Sequence, residues 1–180
     1  MQNGHVIYGD WGIQMTEFNN EYHVIEGAGY SIDGKRYYVD SRIERFMKQR
    51  SSGKALDVYK PLLVHETTEK HYETTCGYSY QRAHELATGM EKHWIKASGY
   101  DWDEYQGHIL REIKKLDISG PVPPDLDLKP DSDYHAVDTI LAFKRLYDKQ
   151  YPGRWNDVYN KSGDLSDLKT GGSLRDKGEA

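Results

Sequence analysis

The chain is short of most features that would fix its class at once. It holds one cysteine, Cys76, in 180 residues, so no disulfide can close within it and a reducing compartment is expected. No apolar run approaches the ~20 residues of a membrane-spanning helix. The first residues, MQNGHVIYGDW, lack the basic patch and apolar stretch of a signal peptide. A cytoplasmic protein with no membrane segment is the expectation. Basic residues are outnumbered, 24 against 29 acidic, for a net charge of −5. Nucleic acid is therefore not an expected partner, because its readers carry a basic patch or stripe.

Tyrosine is abundant. Hydrophobic residues make up 37 % of the chain, but fifteen of them are Tyr and only three are Phe. Tyrosine and four tryptophans must supply much of the core, and amphipathic rings also suit wet interfaces.

The pattern along the chain reads as an α+β domain over residues 1–150. Residues 1–45 read as a small antiparallel sheet: HVIYG, YHVIE and KRYYVD are β-branched and aromatic, and Asp33-Gly34 is a two-residue hairpin signal. Residues 57–116 read as three helices. The first runs from about Lys60 to Cys76, with Pro61 in its first turn and Gly77 as its cap. The second runs from about Tyr80 to Ser98, between Ser79 and Gly99. The third runs from Asp101 to about Leu116, where Asp101 and Glu104 form a variant of the capping box. In the connector, residues 117–132, Pro121, Pro123 and Pro124 favour a stiff extended path. Residues 133–150 read as a further helix, and 151–180, rich in charge and turn residues, as a tail or docking arm.

The oddity lies in the first two helices. At ~100° per residue, Val58, Leu62, His65, Glu69, Tyr72 and Cys76 share the face that should meet the core, with Glu66 and Glu73 on its shoulder. On the second helix Tyr80, Ala83, His84, Ala87, Met90, Glu91 and Trp94 share one side. The short linker Gly77–Ser79 folds the pair into an antiparallel hairpin, which sets His84 and Glu91 around the level of His65 and Glu69. An ionised carboxylate without a partner is too costly to bury, and a divalent cation resolves that cost. Zinc accepts imidazole nitrogen and carboxylate oxygen, and a catalytic site keeps three protein ligands and a water. His65, Glu69 and His84 are such a set. Glu91 is a fourth ligand or an acceptor that orients an imidazole. Glu66 follows His65 as the general base does in HExxH. The alternative is a buried hydrogen-bonded pair of Glu69 and His84 without metal.

The remaining candidates read as structural. His71 and His93 fall on solvated faces, and His5, His23 and His135 have no evident partner. His108 lies beside a core stripe of Trp102, Tyr105, Ile109, Ile113 and Leu116. Cys76 reads as a small core residue. DLDLKPDSD lacks the Gly and terminal Glu of a calcium loop.

The order GYSIDGKRYYVDSRI, LLVHETTE, YSYQRAHELATGMEKHW, SGYDWDEY, PPDLDL resembles a group of uncharacterised proteins encoded in bacteriophages and proteobacterial prophages, over Gly29 to Leu128. There the HExxE and AHxxA…E elements match His65, Glu66, Glu69, Ala83, His84, Ala87 and Glu91. A wider likeness is to zincin metallopeptidases, with Glu69 where zincins carry a second His. The phage resemblance implies a role in the virion or its assembly. The residues favour a zinc-dependent hydrolase of metallopeptidase kind acting on a peptide or protein. The alternative is a non-enzymatic phage assembly protein that docks on structural partners through its tail. A two-metal carboxylate site built from Glu66, Glu69, His84 and Glu91 ranks below both.

Overall fold

The computed structural model describes residues 17–117, 119–128 and 137–156. The strands come first: β1 (Glu17–Asn19), β2 (Ala28–Tyr30), β3 (Arg36–Val39), β4 (Phe46–Lys48) and β5 (Ala55–Asp57). The helices follow: α1 (Tyr59–Thr74), α2 (Tyr80–Ala97), α3 (Trp102–Ile113) and α4 (Val137–Gln150). The α+β class is as expected.

One sheet has the order β1-β3-β2, with β2 antiparallel and β1 parallel to β3, so it is mixed rather than wholly antiparallel. KRYYVD forms β3 as expected. Its turn is wider than the two residues Asp33-Gly34: Ser31 N–H donates to the Arg36 carbonyl at 2.9 Å, and Gly34 takes φ +69°. YHVIE is not a strand. Val24 and Ile25 are buried, but the backbone turns through a 3-10 segment, Ile25–Gly27, with Glu26 left-handed at φ 59°. Beyond the expected sheet, β4 and β5 pair as a separate hairpin. HVIYG lies outside the described residues.

Alternation along β3 sends its side chains to opposite faces and so divides the core. Tyr37 and Val39 pack with Leu62 and Leu63 of α1, Ile95 of α2, and Trp102, Tyr105 and Ile109 of α3. Tyr38 packs on the other side with Val122, Leu126, Leu128, and Phe143 and Tyr147 of α4. Trp155, five residues after α4, joins that second cluster, and Tyr151 packs against it. Residues 157–180, most of the expected tail, lie outside the described residues.

The described part of the proline-rich connector turns at Pro124 and Asp125 and then runs beside β2. Ile32 N–H donates to Asp125 O and Asp127 N–H to Tyr30 O, each at 2.9 Å, so it lines the edge of β2. Its acids pair with cations: Asp125 with Arg36, and Asp127 with Lys70 at 2.8 Å. The rest of DLDLKPDSD, residues 129–133, lies outside the described residues.

The helix ends follow local chemistry. Gly77 and Gly99 adopt φ +67° and +76°. Tyr78 N–H then reaches back to Tyr72 O, and Tyr100 N–H to Ile95 O, the bond that closes a left-handed C-terminal cap. Ser79 accepts from Arg82 N–H, and Asp101 from Glu104 N–H. The Glu104 carboxylate does not complete a capping box. It accepts from Arg50 and Ser51 N–H at 2.6 and 2.8 Å, clasping the β4–β5 turn. Cys76 is exposed, not core: α1 ends at Thr74, and the chain turns outward before the thiol would reach the buried side.

Candidate metal centre

α1 and α2 pack as the hairpin that the three-residue linker dictates. Ala83 and Ala87, both fully buried, let the helices approach closely. His65 and Glu69 lie one turn apart on α1, and His84 faces them from α2. His65 Nε2 is 3.2 Å from His84 Nδ1 and 3.5 Å from Glu69 Oε2, and His84 Nδ1 is 2.9 Å from Glu69 Oε2. These three residues could hold a metal ion. Bonds of ~2.0–2.1 Å at tetrahedral angles place donor atoms ~3.3 Å apart, and the three measured edges scatter around that value.

Glu91 does not join the triangle. Its Oε2 lies 3.0 Å from His65 Nδ1, the ring nitrogen facing away from the shared point, and its Oε1 accepts from the Tyr105 hydroxyl. Tyr105 and Glu91 hold the imidazole with Nδ1 engaged and Nε2 turned to the shared point, where it would offer its lone pair to an ion, the usual support of a metal-binding histidine. Of the two roles that the sequence left open, the geometry gives Glu91 the orienting one. Glu66 lines the same cavity as the three candidate ligands.

Glu69 is 3 % exposed and Glu91 7 %. Burial pushes the His65 imidazolium towards neutrality, but Glu69, Glu91 and Glu66 more than offset it and hold its pKa well above the ordinary value. Burial likewise raises Glu69, and the two imidazoles outweigh it, so its pKa is lowered. The protein alone therefore places a proton where a cation would sit. A metal would replace that proton, since ligands must be deprotonated to bind.

Tyrosines complete the site, and the sequence reading gave them no role there. Tyr30 of β2 is buried; its hydroxyl lies 3.0 Å from Glu73 Oε2 and 3.3 Å from Glu69 Oε1. Burial, then Glu69 and Glu73, drive its pKa far up, so it stays a neutral donor. The Tyr80 hydroxyl is 3.4 Å from His84 Nδ1. The available signal was indirect: a buried phenol needs a partner, and buried carboxylates need donors. The excess of one predicts the neighbours of the other.

The cluster opens on a cavity of about 320 Å³, near the low end of small-ligand sites at ~300–1,000 Å³. The other expected candidates stay outside it. His93 is exposed. His71 is half-buried against Tyr72, and His108 is half-buried away from the cluster. His23 accepts from Gly120 N–H at 2.8 Å. His5 and His135 lie outside the described residues. No helix among the described residues is long and apolar enough to cross a membrane.

No protein-family model, no curated protein and no solved structure matches this chain.

Proposed function

We propose that the protein is a zinc-dependent hydrolase of metallopeptidase kind, encoded by a phage or prophage. The single observation that carries the reading is the triangle of His65 Nε2, Glu69 Oε2 and His84 Nδ1, with edges of 2.9–3.5 Å, beside a cavity that Glu66 also lines. Two imidazoles and one carboxylate match a catalytic zinc set, which leaves a fourth position for water. The ion supplies a Lewis acid and lowers the pKa of a bound water towards 7.

The chain's own groups do the rest. Glu66 accepts the proton as the water oxygen bonds to the substrate carbonyl carbon. It then returns that proton to the leaving amine nitrogen as the C–N bond breaks. Glu91 holds the His65 ring in place, and Tyr105 holds Glu91. The Tyr80 hydroxyl, 3.4 Å from His84 Nδ1, would donate to the carbonyl oxygen as negative charge develops there.

Metal analysis by mass spectrometry, with a peptide-cleavage assay, tests this reading. One zinc per chain is expected, and Glu66→Gln should keep the metal and lose about 10²–10⁴-fold in turnover. Metal bound without cleavage, with no effect of Glu66→Gln, would leave a structural site in a non-enzymatic assembly protein.

A further inference from the structure

The cavity beside the cluster has two unlike walls. One is the polar wall of α1 and α2. The other belongs to α3, with Trp102, Ile109, Leu110 and Ile113, joined by Leu62 of α1. Three large hydrophobic side chains among the described residues are well exposed, and Leu110, half exposed, is the one on this cavity. An isolated exposed leucine needs no explanation. This one continues an apolar wall, because Ile109 is buried beside it and Ile113 is half-buried one turn on. Ile113 continues the core-facing stripe of Trp102, Tyr105 and Ile109 to the cavity, and Leu110 flanks it on the exposed side. Glu26, Glu66 and Asp127 also line the cavity, Asp127 paired with Lys70 at 2.8 Å.

We infer that this wall is a specificity pocket for one large apolar side chain, such as Phe, Leu or Met, of an extended peptide. The size fits. About 320 Å³ has room for a side chain and its flanking backbone, not for a folded partner. The apolar face of α3 supplies the affinity by removing hydrocarbon from water. Burying a charged side chain against Leu110 and Ile113 would leave it unpaired. The inference deepens the hydrolase reading and rests on it only for the ligand being a peptide.

Binding tests it without requiring turnover. Three blocked tripeptide amides, acetyl-Gly-Xaa-Gly-amide with Xaa as Phe, Ala or Glu, are titrated into isotope-labelled full-length protein, with and without added zinc. The Phe peptide should bind about tenfold or more tighter than the Ala peptide, within the range that a hydrophobic pocket discriminates. It should bind tighter still than the Glu peptide, and shift the methyl signals of Leu110 and Ile113. Leu110→Asp and Ile113→Ser should each abolish the preference; Leu110 is exposed enough for its variant to fold, and the rest of the spectrum reports that directly. Equal binding of all three peptides, no binding at all, or shifts confined to another face would overturn the inference. A protein that seats the Phe peptide but takes up no zinc would sink the hydrolase reading and leave this pocket standing. A protein that binds zinc without distinguishing the peptides would do the reverse.

Discussion

His65 Nε2 and His84 Nδ1 face each other at 3.2 Å, although 19 residues separate them in the chain. Two imidazole nitrogens this close, with the Glu69 carboxylate 2.9 Å from the second, share either a proton or an ion. Glu91, 3.0 Å from the other ring nitrogen of His65, keeps Nε2 turned to that shared point.

Glu91→Gln and Tyr105→Phe should each weaken zinc binding by about 10–100-fold without removing a ligand. Competition against a chromophoric chelator measures the shift. Loss of all binding in Tyr105→Phe would instead mean that the phenol holds the fold, which the far-ultraviolet circular dichroism of that variant would reveal.

Asp40 gives the pH dependence of stability a defined source. Its side chain is buried and accepts from Val24 N–H at 2.8 Å, Arg42 N–H at 2.9 Å and the Arg42 guanidinium at 2.9 Å. Burial pushes the carboxyl up, but these donors outweigh it and its pKa is lowered. A depressed folded-state pKa means that this contribution is complete above the unfolded value, ~3.9. It is lost as the pH falls through the folded value. Asp40→Asn should cost roughly 1.5–3 kcal/mol at neutral pH and flatten the fall in stability below about pH 4. Urea unfolding at pH 7 and at pH 3 measures both, and an unchanged acid slope in the variant would contradict the assignment.

Gly27 sits at φ +88°, and a Cβ there would lie 2.6 Å from Ile43 Cδ1. Gly27→Ala should therefore destabilise by roughly 1–3 kcal/mol of overpacking, on top of ~1–2 kcal/mol for left-handed backbone. The melting temperature should fall by several degrees, and a neutral result would mean that the 3-10 turn is not held as described.

What the sequence made legible follows from local physics. The period of α1 and α2 placed His65, Glu69 and His84 on facing sides, and a short linker then left little freedom in how they meet. Ser79, Asp101, Gly77 and Gly99 mark helix ends because each satisfies backbone groups within a few residues. Other features depend on partners far away in the chain. The parallel pairing of β1 with β3 joins Glu17 to Arg36, and nothing near either residue signals it. β4 and β5 are three residues each, too short for alternation to register. Val24 and Ile25 read as a strand because they are apolar and buried, but Glu26 bends the backbone into a turn. Cys76 was misplaced because the helical pattern was carried two residues past Thr74. The tyrosines at the site were counted as core, because a phenol on an apolar stripe does not show which carboxylate its hydroxyl will meet.

The most direct measurement is zinc stoichiometry, by calorimetric titration of metal-stripped protein, for the wild type and for His65→Ala, Glu69→Ala and His84→Ala. The account predicts one zinc per wild-type chain and loss of that site in each variant, with the helical signal retained. A wild type that binds no zinc, or a His84→Ala variant that binds it as tightly as the wild type, would contradict it.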